Sequence, residues 1–191
     1  RKSYQNISAY TDVVMERIQA LAESKSSITG IRTGYHDLDF KTAGFQRSDL
    51  IIIAGRPSMG KTALAVNIAE TAAIKDKHSV AIFSMEMQAE QLTMRMMSSL
   101  ANIDQHKVRT GKLDGDDWIR FTSTVGILQE TEMFIDDTPA LTPAELRARC
   151  RRISREHGLD LVVVDYLQLM QVAGTSENRA TEISEISRSL K

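Results

Sequence analysis

Two hydrophobic patterns alternate along the chain. Short continuous apolar runs, Leu50-Ile51-Ile52-Ile53-Ala54, Ser79-Val80-Ala81-Ile82-Phe83, Met133-Phe134-Ile135 and Leu161-Val162-Val163-Val164-Asp165, have the length and composition of strands buried on both faces. Between them, apolar positions recur at helical spacing. Helices are predicted over 63–73, 88–100, 103–111 and 116–128. Leu92, Met96 and Leu100 mark the face of the second, with Met94 and Met97 alongside as adaptable packing, and Trp118, Phe121 and Val125 mark the face of the fourth. Thr142-Pro143-Ala144-Glu145 signals a helix start three times over: Thr as N-cap, Pro at the first helical position, Glu three residues after the cap. That helix is predicted to run to Gly158, burying Leu146, Cys150 and Ile153. Strands alternating with helices predict an α/β fold with a mostly parallel sheet flanked by helices.

Residues 10–24 form a separate amphipathic pattern, with Thr11 as N-cap and Val14, Ile18, Leu21 and Ala22 on one face. The linker composition Ser24-Lys25-Ser26-Ser27 follows, which gives an expected division into a helix and linker, 1–27, and a main domain, 28–191. The apolar stripe either folds back on its own domain or docks on a neighbouring subunit. The segment 29–39, with two glycines and a short helical turn, is scaffold leading through Gly44 to the first strand. At the far end, Tyr166 to Met170 leads through Gly174-Thr175-Ser176 to a final helix, where Ile183, Ile186 and Leu190 still mark a face and no stop signal follows. With Arg1 at the start in place of Met, the chain is expected to be a piece of a longer protein.

Composition changes this picture little. A chain of 191 residues, 42% hydrophobic, suits one domain with a sizeable core. Lys plus Arg total 24 against 25 Asp plus Glu, so net charge neither argues for nucleic acid nor excludes a local basic groove. A single cysteine, Cys150, excludes an internal disulfide and is expected in the core; no apolar stretch has the length of a membrane span, and a reducing, soluble, cytoplasmic setting is expected. His36, His78, His106 and His157 lack metal-ligand spacing. Arg147, Arg149, Arg151, Arg152 and Arg155 crowd one helix, where they can touch phosphates, meet a neighbour's carboxylates or face solvent.

The chemistry gathers at strand ends. Gly55-Arg56-Pro57-Ser58-Met59-Gly60-Lys61-Thr62 fits the phosphate-loop pattern G-x-x-x-x-G-K-[ST], set between a strand and a helix. Successive backbone N–H groups and a helix N-terminus there surround one anionic point. Ser58, Gly60, Lys61, Thr62 and Ala63 are the nucleotide-binding candidates. Lys61 can reach the β and γ oxygens, the Thr62 hydroxyl can ligate Mg²⁺, and Pro57 stiffens the loop. Glu86 follows the second strand, where a general base would face the loop, or else it caps the next helix. Asp165 ends the fourth strand, the place of a Mg²⁺-holding carboxylate near Thr62. Arg95, nine residues beyond Glu86, either reaches the nucleotide or is solvated. Asp136 and Asp137 are read as local caps.

Together these residues resemble the bacterial replicative DNA helicases of the DnaB type, whose motor is a RecA-like phosphate-loop ATPase. The resemblance rests on residues 54–62, Phe83-Ser84-Met85-Glu86-Met87, Arg109-Thr110-Gly111, Val164-Asp165-Tyr166-Leu167-Gln168-Leu169-Met170, Asn178-Arg179 and the residues 182–188. It implies ATP and Mg²⁺ as cofactors, Lys61 and Thr62 on phosphate and metal, Glu86 activating the attacking water, Asp165 on the metal and Arg95 at the nucleotide. It also implies a hexamer translocating 5′ to 3′ on single-stranded DNA, with the leading helix packed on the next subunit, and primase and a helicase loader as partners. The family's sensor glutamine and trans-acting basic residues fall beyond position 191, so the core is expected to be incomplete at its C-terminus and weakly active alone. A recombinase or clock-type ATPase of the same core, and a non-catalytic oligomerisation or loader-binding module, remain the alternative readings.

Overall fold

The computed structural model describes residues 6–23, 27–56 and 58–165. Pro57, most of the linker at Ser24 to Ser26, and everything expected from Tyr166 onward, including the terminal helix, lie outside the described residues. Two compact units divide between Arg47 and Ser48.

The first unit holds helix α1 (Ser8–Glu23) and the short helix α2 (His36–Thr42). α1 begins earlier than Thr11 because Asn6 Oδ1 accepts the Ser8 amide at 3.0 Å, and the Thr11 hydroxyl instead donates back to Ser8 O. No α1 residue is buried; Val14, Ile18 and Leu21 are all exposed. Around α2, the buried Asp39 carboxylate accepts from Thr33 N, Thr33 Oγ1 and Gly34 N, which fixes the preceding turn. Ala43 terminates α2 in the left-handed region, and an antiparallel bridge between Ile31 and Phe45 closes the segment. Gly30 is needed there: a Cβ would sit 2.3 Å from Phe45 O.

The second unit is built on a parallel sheet. Strands β1 (Val80–Ser84), β2 (Met133–Asp136) and β3 (Leu161–Asp165) lie in the order β2-β1-β3. Both pairings are parallel, and the register sets Phe83 opposite Asp136 and Ser84 opposite Asp165. β1 is central and buried throughout, as its unbroken apolar run requires. Its residues Ala81 and Phe83, with Met85 just beyond, pack on Leu141, Leu146, Cys150 and Ile153, so helix α7 (Pro143–Glu156) covers that face and Cys150 is a core residue. Burial raises its thiol pKa. α7 has the predicted start: Thr142 and Glu145 form a reciprocal capping box, with Pro at the first turn.

Helix α3 (Lys61–Glu70) contacts β3 and passes at Thr71 into a five-residue π-helical turn, Thr71–Lys75. α4 (Ala89–Ala101), α5 (Gln105–Thr110) and α6 (Gly115–Gln129) complete the described elements. Leu92 and Met96 are buried as expected, whereas Met94 is exposed.

Two further expectations are corrected. Residues 50–54 do not form a strand among the described residues, and Ile52 is 60% exposed. An apolar, β-branched run supplies strand propensity, but a ladder needs a partner, and the described sheet ends at β3. α6 turns inward the face carrying Asp117 and Thr124, both buried, and leaves Trp118 54% and Val125 38% exposed. The cause is a polar network: Asp117 caps the helix reciprocally with Asp114 and accepts from Lys107 Nζ at 2.9 Å and Arg120 at 2.7 Å. The Lys107 hydrogen bond holds Asp117 below the usual carboxylate range against the burial that would raise it. Arg120 also donates to Ala101 O and Asn102 O, tying α6 to the end of α4.

Candidate active site

The loop before α3 is shaped by two residues in the left-handed region, Ser58 (φ 63°) and Gly60 (φ 86°). Gly60 accepts that conformation without steric cost and is the N-cap of α3. No side chain caps this helix and no acidic residue stands in its first turn. Its leading N–H groups, those of Lys61, Thr62 and Ala63, therefore keep their positive end for an anion. Lys61 Nζ closes over the loop, donating to Gly55 O at 2.8 Å and Arg56 O at 3.3 Å. An ammonium has three donors, so the same position can serve phosphate oxygens.

Thr62 faces the sheet. Its Oγ1 donates to Asp165 Oδ2 at 2.9 Å, across 103 residues of sequence. The hydroxyl hydrogen goes to the carboxylate, which leaves the Thr62 oxygen lone pairs and a second Asp165 oxygen as hard donors side by side. That donor set suits Mg²⁺. Among the described residues no three His, Cys, Asp or Glu side chains form a metal cage. A cation at Thr62 and Asp165 would complete its shell with water and phosphate oxygens, the usual manner of Mg²⁺.

Glu86 stands next to this pair in the chain path. The ladder between β1 and β3 continues one step past the strands, Met85 N donating to Asp165 O at 2.9 Å, and Glu86 follows at once. Glu86 is exposed and does not cap α4. The first amide of that helix, Ala89 N, donates to Asp137 Oδ2 at 2.9 Å, so the cap comes from the end of β2 and the Glu86 carboxylate is left for other work. Thr62 and Asp165 thus meet at the carboxyl end of β3, and Glu86 follows the carboxyl end of the neighbouring strand β1, the edge where parallel sheets present ligands to catalytic groups.

Arg95 is not brought into this group: it is exposed on α4 and makes no hydrogen bond or ion pair among the described residues. Of the α7 arginines, Arg149 is structural. It donates to Asp136 and to Thr138 Oγ1, and although burial would raise the Asp136 carboxyl, these bonds bring it below the usual range. Arg147, Arg151, Arg152 and Arg155 are exposed.

Sequence reasoning missed how the two aspartates after β2 divide their work, Asp137 capping α4 and Asp136 taking Arg149. Their position at a strand end was the available signal; the partners lie 48 and 13 residues away. It also missed Glu70, whose Oε1 is buried without a partner among the described residues and whose carboxyl burial pushes up to about 7, against the lowering effect of Lys75.

Solved structures with the same architecture include one described as an ATPase domain (TM-score 0.89, 28% identical, covering 98% of this chain and 66% of that one). Another is a DnaB-like replicative helicase described with its interactions with primase (TM-score 0.85, 28% identical, covering 98% and 45%). In sequence, the chain is 50% identical over 190 residues to the replicative DNA helicase DnaC of Bacillus subtilis and 52% identical over 192 residues to the replicative DNA helicase DnaB of Pasteurella multocida. It covers 42% and 41% of their lengths, and 99% and 98% of its own. The family model described as the DnaB-like helicase C terminal domain matches residues 30–191, and with the parallel core and phosphate loop described above, the chain belongs to that family.

Proposed function

We propose that this chain is the ATP-hydrolysing motor of a replicative DNA helicase, in which turnover drives a hexamer 5′ to 3′ along single-stranded DNA and separates the strands at the fork. The observation that carries this reading is the Thr62 Oγ1 to Asp165 Oδ2 hydrogen bond at 2.9 Å, because it joins the phosphate loop to a carboxylate at the end of the strand that pairs with the one leading to Glu86. Ser58, Gly60, Lys61, Thr62 and Ala63 bind the nucleotide, Lys61 moving its donors from loop carbonyls to the β and γ oxygens. Thr62 and Asp165 hold Mg²⁺, which when bound offsets charge on the phosphates. Glu86 takes the proton of the attacking water.

Positive charge supplied by a neighbouring subunit is worth about 10³-fold or more in such reactions, so this chain alone is expected to hydrolyse ATP slowly. The exposed stripe of Val14, Ile18 and Leu21 on α1 supports docking on the next subunit of a ring, with 1–27 as linker and 28–191 as the ATPase domain. Single-stranded DNA, a primase and a loader are the partners, in the cytoplasm of a bacterium at the replication fork; the relative described with primase supports the second of these.

Lys61→Ala and Glu86→Gln in the full-length protein separate the roles. Lys61→Ala should weaken nucleotide binding and cut turnover by roughly 10²-fold or more. Glu86→Gln should bind ATP normally yet neither hydrolyse it nor unwind a forked duplex. Retained hydrolysis in Glu86→Gln would reassign the base, and robust turnover without any strand separation would favour the recombinase-like or clock-type reading.

A further inference from the structure

Glu86 is carried on a turn whose shape is held by a residue with no part in the chemistry above. Ser84 ends β1 and is 1% exposed. Its hydroxyl makes two hydrogen bonds to one residue, donating to Met87 O at 2.7 Å and accepting from Met87 N at 3.1 Å. Between these points Met85 N donates to Asp165 O at 2.9 Å. Residues 85–87 are therefore tied to Asp165 at one end and to Ser84 at the other, with Glu86 between the ties. α4 does not impose this turn, since Gln88 is still extended (φ −68°, ψ 149°) and Asp137 supplies the cap.

A hydroxyl can donate and accept at once in this small space; a methyl can do neither. We propose that Ser84 is a positioning residue for Glu86, holding the peptide that bears it at a fixed offset from Asp165, so that the carboxylate meets the attacking water without a search. The proposal rests on Glu86 being the base. Reaction geometry tolerates little drift: a displacement of about 1 Å costs roughly 10²-fold in rate.

The test uses the full-length protein with single-stranded DNA present, comparing the parent, Ser84→Ala, Ser84→Cys, Glu86→Gln and the Ser84→Ala/Glu86→Gln double variant. ATP turnover is measured in steady state, or in a single turnover for the slow variants, and affinity is measured with a fluorescent ADP analogue. Ser84→Ala should lower kcat roughly 10-fold or more while leaving nucleotide affinity within about twofold. Ser84→Cys keeps the volume with a weak donor and should fall between. In the Glu86→Gln background, removing the Ser84 hydroxyl should cost nothing further. Parental kcat in both Ser84 variants, an equal loss in both Glu86 backgrounds, or a loss that appears in affinity in place of kcat would overturn the positioning role. Parental turnover in Glu86→Gln would instead overturn the assignment of the base, whatever Ser84 does.

Discussion

Among single residues, Thr62 and Glu70 show how differently one helix treats its two ends. Thr62 opens α3 with its hydroxyl on Asp165, and both residue types were legible because the phosphate loop and an apolar strand ending in Asp each imply the other. Glu70 closes α3 where the helix passes into its π-helical turn, a kind of distortion that often accompanies function. Burial raises its carboxyl from 4.5 to about 7, so between those pH values the native state keeps a proton there that the unfolded chain has released. Stability from this group is present below pH 4.5 and lost as pH rises toward 7. A Glu70→Gln variant should therefore match the parent in thermal melts near pH 5 and exceed it near pH 8. The gap should be on the order of 1 kcal/mol, allowing for screening at this half-buried site. Melting curves that run parallel from pH 5 to pH 8 would show that Glu70 is not held neutral. Nothing in the sequence around Glu70 announced this, because burial of one carboxylate on a helix of mixed face is decided by packing.

At the scale of elements, what is written within a few residues is legible in the sequence. β3 spans Leu161–Asp165 as expected, and α7 begins with the expected Thr142–Glu145 box, since each is written within a few residues. What depends on distant partners was not legible. The inward face of α6 is set by Lys107 and Arg120 neutralising Asp117, which periodicity of apolar residues cannot register. The start of α4 depends on Asp137, 48 residues away. Asp137→Ala should cost about 1 kcal/mol of stability, the usual worth of an N-cap, and loosen the segment between β1 and α4. Chemical denaturation measures the first and amide exchange at Ala89 the second. Unchanged exchange there would mean that α4 starts without this cap. Residues 50–54 mark the same boundary between local and distant causes: their strand signal is strong, yet a strand is a property of a pair.

Over the whole molecule, the parallel sheet sets Asp165 opposite Ser84, two residues before Glu86, and the first turn of α3 reaches Asp165 through Thr62. A site made this way can bind and position a nucleotide from one chain. Beyond Lys61, fast turnover needs positive charge that neither Arg95, exposed and unpaired among the described residues, nor Arg149, committed to Asp136, brings to the group. In the proposed ring, another copy docked on the exposed stripe of α1 would bring it. The most direct measurement is ATP hydrolysis by the full-length protein, with and without single-stranded DNA, beside that of residues 1–191 alone. A motor completed by its neighbours predicts strong stimulation by DNA in the full-length protein and near silence in the shorter chain. Equal rates in both, indifferent to DNA, would contradict it.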